Sequence, residues 1–297
     1  MQAWILLSIA AAAFQTLRFV LQKHLSMGTL SVGGATFARF AYSMPFVLVL
    51  AALYLWHRGG GMPALGPMFW PYALSGGLAQ ILATWCMVAL FAARNFAVGI
   101  TFKKTETVQT ALIGLIVLGD RVSAAGMAAI VLGLVGVVIL SGGAGADRWR
   151  IFNRAAALGL IAGALFAVSA VGYRGATLQV SSDDALMRAL VTLAAVTTSQ
   201  ALAMAAWLRW REGGEIGRVI AARRTAVWMG LTGLGGSLCW FTAFTLQNAA
   251  YVFAVGQVEV IFSLIAARLF FGERITRREG AGVALVTASV IAVGLFR

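Results

Sequence analysis

The sequence predicts an all-α membrane protein of ten transmembrane helices arranged as two inverted five-helix repeats. Three observations predict it: the composition, the length of the apolar runs, and a repeat at a constant offset. Of 297 residues, 61% are hydrophobic and 11% are charged, with a mean hydropathy of +0.88. A soluble domain is about a quarter charged. This chain has too few charges to cover a water-facing surface, so its surface must meet lipid. Four prolines and no long polar tract exclude a disordered or collagen-like chain.

A helix needs about 20 mainly apolar residues to cross the hydrocarbon core. Such runs lie at 3–23, 31–56, 68–92, 97–118 and 124–141, then at 155–178, 184–208, 225–246, 250–271 and 279–296. No basic stretch precedes the first, which is therefore expected to be a retained span and not a cleaved signal peptide. Span two stops at His57-Arg58-Gly59-Gly60-Gly61, and Pro63 and Pro67 lead into span three. Gly119-Asp120-Arg121 separates spans four and five. A glycine-rich and then charged stretch at 141–150 divides residues 1–145 from residues 146–297. The longest connector, 209–224, joins spans seven and eight. These runs are too long for barrel strands and lack their two-residue alternation.

Sliding the chain by 153 residues brings Asn95 onto Asn248, Ala97 onto Ala250 and Glu106 onto Glu259. Thr110 meets Ser263, Gly119-Asp120-Arg121 meets Gly272-Glu273-Arg274, and Cys86 meets Cys239. The agreement gathers at polar positions, where chance matches among apolar residues do not explain it. Five spans per unit insert the second unit upside down, and such a repeat places a binding site near the bilayer midplane.

These residues resemble the drug/metabolite transporter superfamily, in its ten-span EamA-type branch. The glycine-acid pairs closing spans four and nine carry the resemblance, together with the glycine-rich spans after them and Ala38-Arg39-Phe40 in span two. The resemblance implies one bundle around a central cavity lined largely by spans one, three, four, six, eight and nine. It also implies alternating-access transport of small metabolites, often outward. Asp120 stands where the family more often has glutamate.

Ionisable groups near the bilayer centre are expensive and point to function. Glu106 and Glu259 lie mid-span in spans four and nine. In Lys103-Lys104-Thr105-Glu106, helical spacing puts Lys103 and Glu106 on one face, with Thr110 a turn further on. Span nine offers Gln257, Glu259 and Ser263 without the lysines. The functional expectation is that both glutamates flank the cavity, that Lys103 or Lys104 binds an acidic group, and that a carboxylate carries a coupling proton. A purely local ion pair is the structural alternative. Arg39 and Arg188, at similar depths in spans two and seven, could clamp a carboxylate or phosphate, or else snorkel or pair between halves. Arg18 and Lys23, near the end of span one, are expected to snorkel. Trp85 and Trp240 lie deep enough to stack on a planar ligand or to pack, whereas Tyr72 and Tyr251 read as interfacial anchors.

Lysine and arginine outnumber carboxylates inside the spans. This points to a secondary transporter for a small anionic or zwitterionic metabolite. Efflux of quaternary cations through the membrane glutamates is the alternative, and a channel or non-transporting sensor is the alternative of another class. No GxxxxGK[ST] loop, HExxH or GxSxG occurs, so neither ATP-driven pumping nor enzymatic activity is expected. The two cysteines form no CxxC motif, and no cofactor or metal ligand set is present. The net charge of +13 sits mainly in connectors, where it meets lipid headgroups and not nucleic acid. The expected partners are thus the substrate and the bilayer, with a monomer sufficient. Thirteen basic residues in the odd-numbered loops against five on the other side place both termini outside the inner membrane, whereas the resemblance implies the reverse.

Overall fold

The computed structural model describes residues 2–28, 30–91, 102–141, 154–262, 265 and 277–296. The helices are α1 (Ala3–Gly28), α2 (Val32–His57), α3 (Phe69–Phe91), α4 (Glu106–Leu118), α5 (Ala124–Ser141) and α6 (Arg154–Leu178). They continue with α7 (Ala185–Arg211), α8 (Glu215–Ala221), α9 (Arg223–Leu246), α10 (Ala249–Gly256) and α11 (Arg277–Phe296). Among the described residues, β pairing is confined to an isolated bridge between Leu65 and Val180. Six helices (α1, α2, α3, α6, α7 and α9) are long and apolar enough to cross a membrane. Shorter apolar helices occupy Glu106–Leu118, Ala124–Ile139, Ala249–Phe262 and Gly280–Phe296. Trp56 and Trp70 are exposed where α2 ends and α3 begins, and Trp210 and Trp228 where α7 ends and α9 begins. Indoles at these helix ends suit the interfacial belts of a bilayer.

The helices pack as α3 on α6, α1 on α9, α2 on α7 and α5 on α11, while α4 lies against α6 and α10. Small residues allow the closest of these approaches. A Cβ on Gly172 would lie 2.9 Å from the Tyr72 carbonyl and 3.0 Å from Gly76 Cα, so the backbones of α3 and α6 touch there. The apolar interior forms two large clusters and a small one around Val137 and Val286. One large cluster includes Phe69, Tyr173, Phe241 and Val255, and the other includes Phe37, Phe40, Met87 and Met204.

Two features of the backbone escape span counting. The first is α8, a helix inside the stretch read as a connector. Its Glu215 is fully buried, accepting the Ser31 backbone N–H at 2.6 Å, while Glu212 accepts the Ser31 hydroxyl. Two carboxylates thus face the positive N-terminal end of α2. Gly34 has no room for a side chain, since a Cβ would fall 2.1 Å from Glu215 Oε1. The second is that spans four and nine are broken. Residues 104–105 and 257–258 form turns, with helix resuming at Glu106 and at Glu259. At both breaks the bonds tighten to three-residue spacing, Val108 N–H to Thr105 at 3.1 Å and Val260 N–H to Gln257 at 3.1 Å. The two breaks are 153 residues apart, the offset of the sequence repeat.

The termini of several helices are fixed by their own side chains. Gly119 ends α4 at φ +70°, a left-handed conformation that glycine adopts without strain, and the Asp120 N–H closes back on Gly114. Asp184 caps α7 by accepting the Leu186 and Met187 N–H groups at 2.9 and 3.3 Å. It also accepts the Tyr54 hydroxyl at 2.6 Å and lies 3.2 Å from Arg58. The Tyr54 hydrogen bond, then the two backbone donors and Arg58, hold the Asp184 carboxyl below its usual range. A carboxyl with a lower pKa in the folded state stabilises the protein above its unfolded pKa of about 3.9, and that contribution is lost as pH falls through the folded value. Asp184→Asn is therefore expected to melt lower than wild type at neutral pH, with the gap closing below about pH 4. Thermal unfolding across pH checks this, and a gap that persists undiminished at acid pH would refute it.

Candidate functional site

A small cavity of about 30 Å³ lies between the two large apolar clusters. Polar groups come from five helices: Gln15 of α1, Arg39 of α2, Gln80 of α3, Ser169 of α6 and Ser237 of α9. The rest of the wall is aromatic, with Phe166 and Tyr173 from α6, Trp240, Phe241 and Phe244 from α9, and Phe253 from α10. Tyr173 stacks on Phe241 with centroids 4.3 Å apart. Trp240 stacks on Phe244 at 5.7 Å, and Phe253 meets both edge-on. Gly256 makes the notch that Trp240 fills, since a Cβ there would lie 2.4 Å from the indole. The cavity is well below the roughly 300–1,000 Å³ of ligand sites, so a ligand enters only when the helices part.

Behind this wall lies a layer of buried charge. Lys103 Nζ donates to Glu106 Oε1 at 2.7 Å, and Lys104 Nζ to Glu259 Oε2 at 2.6 Å. The Lys104–Glu259 pair joins the two broken helices. Glu106 Oε2 is buried without a hydrogen-bond partner. Two contacts connect the layer to the cavity. Gln15, on the wall, donates to Glu259 Oε2 at 3.0 Å, and Lys103 Nζ stands 5.0 Å over the Phe166 ring. Gln257 donates to Thr107 Oγ1 at 3.2 Å, and Thr110 donates to the Glu106 carbonyl at 2.6 Å. Both therefore brace the broken helices and stand off the cavity.

Arg39 lines the cavity, is 6% exposed, and donates to Thr84 Oγ1 at 2.9 Å. Arg18 departs from the sequence expectation. Helix α1 continues to Gly28, so Arg18 lies inside the bundle at 3% exposure and cannot snorkel; its Nη1 donates to Gln22 Oε1 at 2.9 Å. Among the described residues, neither guanidinium contacts a carboxylate. The other two arginine and tryptophan candidates lie elsewhere. Arg188 sits near the start of α7, donating to the Thr177 carbonyl at 2.8 Å. Trp85 packs edge-on against Trp207 at 4.7 Å and is not part of the wall. Tyr251 is buried, not interfacial, because its hydroxyl accepts the Ser123 N–H at 3.0 Å in a notch over Gly126. Ser263, the Gly272-Glu273 pair, residues 92–101 and 142–153, and the Lys23 side chain lie outside what is described.

Toward the end of the bundle that holds both termini, Arg174 closes the space beyond Tyr173 and Phe244. It grips Asp120 through Nε at 2.6 Å and Nη2 at 3.1 Å, and donates Nη1 to the Phe244 and Gln247 carbonyls at 2.7 and 3.0 Å. This clasp joins the α4–α5 turn, α6 and the α9–α10 junction. Sequence reading saw Asp120 only as a helix-end residue. Of the aromatic wall the sequence singled out Trp240 alone, since Phe is common throughout the chain and its spacing does not separate cavity from lipid.

The comparisons with known proteins support a membrane transporter. Residues 153–295 match the EamA-like transporter family. An uncharacterized transporter in the cobO 3′ region of a Sinorhizobium species is 29% identical over 141 residues, 46% of this chain and 94% of that protein. The probable 4-amino-4-deoxy-L-arabinose-phosphoundecaprenol flippase subunit ArnE of Pseudomonas aeruginosa (strain UCBPP-PA14) is 29% identical over 86 residues, 29% of this chain and 75% of ArnE. A protein of known crystal structure shares the fold, with a TM-score of 0.66 over 97% of this chain and 99% of its own at 18% identity. These relatives are transporters or flippase subunits and not enzymes, in line with the drug/metabolite transporter resemblance.

Proposed function

We propose that the chain is an alternating-access carrier for a small organic anion or zwitterion, built from two inverted halves, 1–145 and 146–297, with ten spans and both termini outside the inner membrane. The observation that carries the substrate class is Arg39, a buried guanidinium on the cavity wall whose hydrogen-bond partner is a neutral hydroxyl. An acidic group arriving there gains a charge-assisted, bidentate bond, while the rings of Tyr173, Trp240 and Phe253 cover its apolar part. The helix pairing supports the inverted halves. Exchanging α1 with α6 and α3 with α9 turns the α3–α6 contact into α1–α9, and the breaks in spans four and nine match at the repeat offset. Half-helix ends at mid-depth are where carriers of this build bind ions and substrates. ArnE, by its name, serves a phosphate-bearing substrate, which suits the same charge preference. Cation efflux is disfavoured because each glutamate already holds a lysine.

The coupling proton is placed on Glu106, whose second oxygen has room to be protonated. Counterflow in proteoliposomes tests both parts. A panel of carboxylates, amino acids and phosphate esters is expected to give saturable exchange that tetraethylammonium does not, and the opposite pattern would reject the anion reading. Glu106→Gln is expected to retain exchange but lose acceleration by a pH gradient; a wild-type response to the gradient would exclude Glu106 as the proton carrier.

A further inference from the structure

Among the described residues, the buried charges around the cavity do not balance. Arg18, Arg39, Lys103 and Lys104 are buried beside two carboxylates, Glu106 and Glu259. Each lysine takes one carboxylate, at 2.7 and 2.6 Å. The guanidiniums donate to neutral oxygens, Gln22 Oε1 and Thr84 Oγ1, each at 2.9 Å, and the Glu259 charge reaches Arg18 only through space. Their stems converge on one point of α9: a Cβ on Gly233 would lie 3.6 Å from Arg18 Cδ and 3.7 Å from Arg39 Cγ. Arg39 reaches the cavity wall, and so does Gln15, one turn before Arg18 on the same helix face. Two cations brought together away from water repel each other and carry a desolvation cost, which a bound counter-anion offsets. A single negative charge would neutralise one of them and leave the other.

We propose that the cargo bears a doubly charged tetrahedral headgroup, a phosphate or phosphonate dianion, held between Arg18 and Arg39 with its apolar part against the aromatic wall. Two arginines whose stems meet beside Gly233 suit such a group, since each guanidinium can turn to take two of its oxygens. The proposal rests on the anion-carrier reading above and narrows it from one charge to two.

Phenylphosphonate and benzenesulfonate test it, because they share shape and differ in charge. At about pH 8.5 the phosphonate is doubly ionised, its second proton belonging to the phosphate type that leaves near pH 6 to 7. On the purified full chain, phenylphosphonate is expected to bind at least about tenfold tighter than benzenesulfonate, read by calorimetry and by the rise in melting temperature. Its affinity is expected to fall about tenfold on lowering the pH to about 5.5, while that of the sulfonate stays flat. Arg18→Gln is expected to bring the two ligands within about threefold of each other; the pH arm needs no variant and stands if this one fails to fold. Equal affinity of the two ligands for the wild type, or no pH dependence for the phosphonate, overturns the dianion proposal and leaves the anion carrier intact. If neither ligand binds, the dianion proposal falls, and benzoate then separates the two readings: its binding keeps the anion carrier and its failure removes it.

Discussion

Arg39→Ala is expected to reduce substrate exchange by about 30-fold or more while leaving the melting temperature unchanged or raised. The two effects have one origin. In the empty protein the guanidinium is buried with a neutral hydroxyl and no carboxylate, so removing it relieves a desolvation cost. In the loaded protein it is half of a buried ion pair. Truncating one partner of such a pair costs about 2–5 kcal/mol, and the lower figure is the 30-fold loss. Arg39→Lys keeps the charge but not the planar fork and is expected to fall between the two. Exchange rate per folded molecule, with thermal unfolding on the same preparation, makes the measurement. A purely structural arginine would give the opposite signature, a lower melting temperature with exchange per folded molecule intact.

The second large effect is expected at Lys104. Its ammonium is 2.6 Å from Glu259 Oε2, and both side chains are shielded from solvent. Breaking a buried pair by removing one partner costs about 3–5 kcal/mol, because the remaining charge stays desolvated. Lys104→Met is expected near the lower end, since Gln15 still donates to the same oxygen and the charge of Lys103 also reaches Glu259. Lys104→Met with Glu259→Gln removes both charges and is expected to recover most of the loss. Denaturation of the single and double variants in a lipid-like detergent gives the coupling directly. If the double variant is no more stable than the single one, the pair is not what joins spans four and nine.

Much of this molecule was legible from residue order because lipid imposes a simple rule on it. A backbone with no water to bond must close its hydrogen bonds within the segment. Six of the apolar runs therefore became helices of spanning length at the expected places, and the 153-residue offset that aligned Glu106 with Glu259 also aligned the two helix breaks. Rarity made the charges readable, since an arginine or glutamate in the middle of a span has few bland explanations. Arg18 was misjudged because depth in the membrane depends on where a helix ends, and α1 runs on to Gly28. The breaks themselves were also missed. Lys103 and Glu106 fit the spacing of an unbroken helix and do pair, so their pattern gave no sign of the turn between them.

Residue order by itself determined that this chain is a helical membrane protein, where its six long apolar helices fall, and which few charges had to be accommodated inside. Only the tertiary structure decided which partner each charge took. Lys104 chose a carboxylate 155 positions away, Arg174 clasped Asp120 across the bundle, and Arg18 and Arg39 met without one. The reason is physical. Transfer into lipid is a sum over single residues and can be read locally, whereas a buried charge is satisfied by whatever group the packing of distant helices brings within about 3 Å.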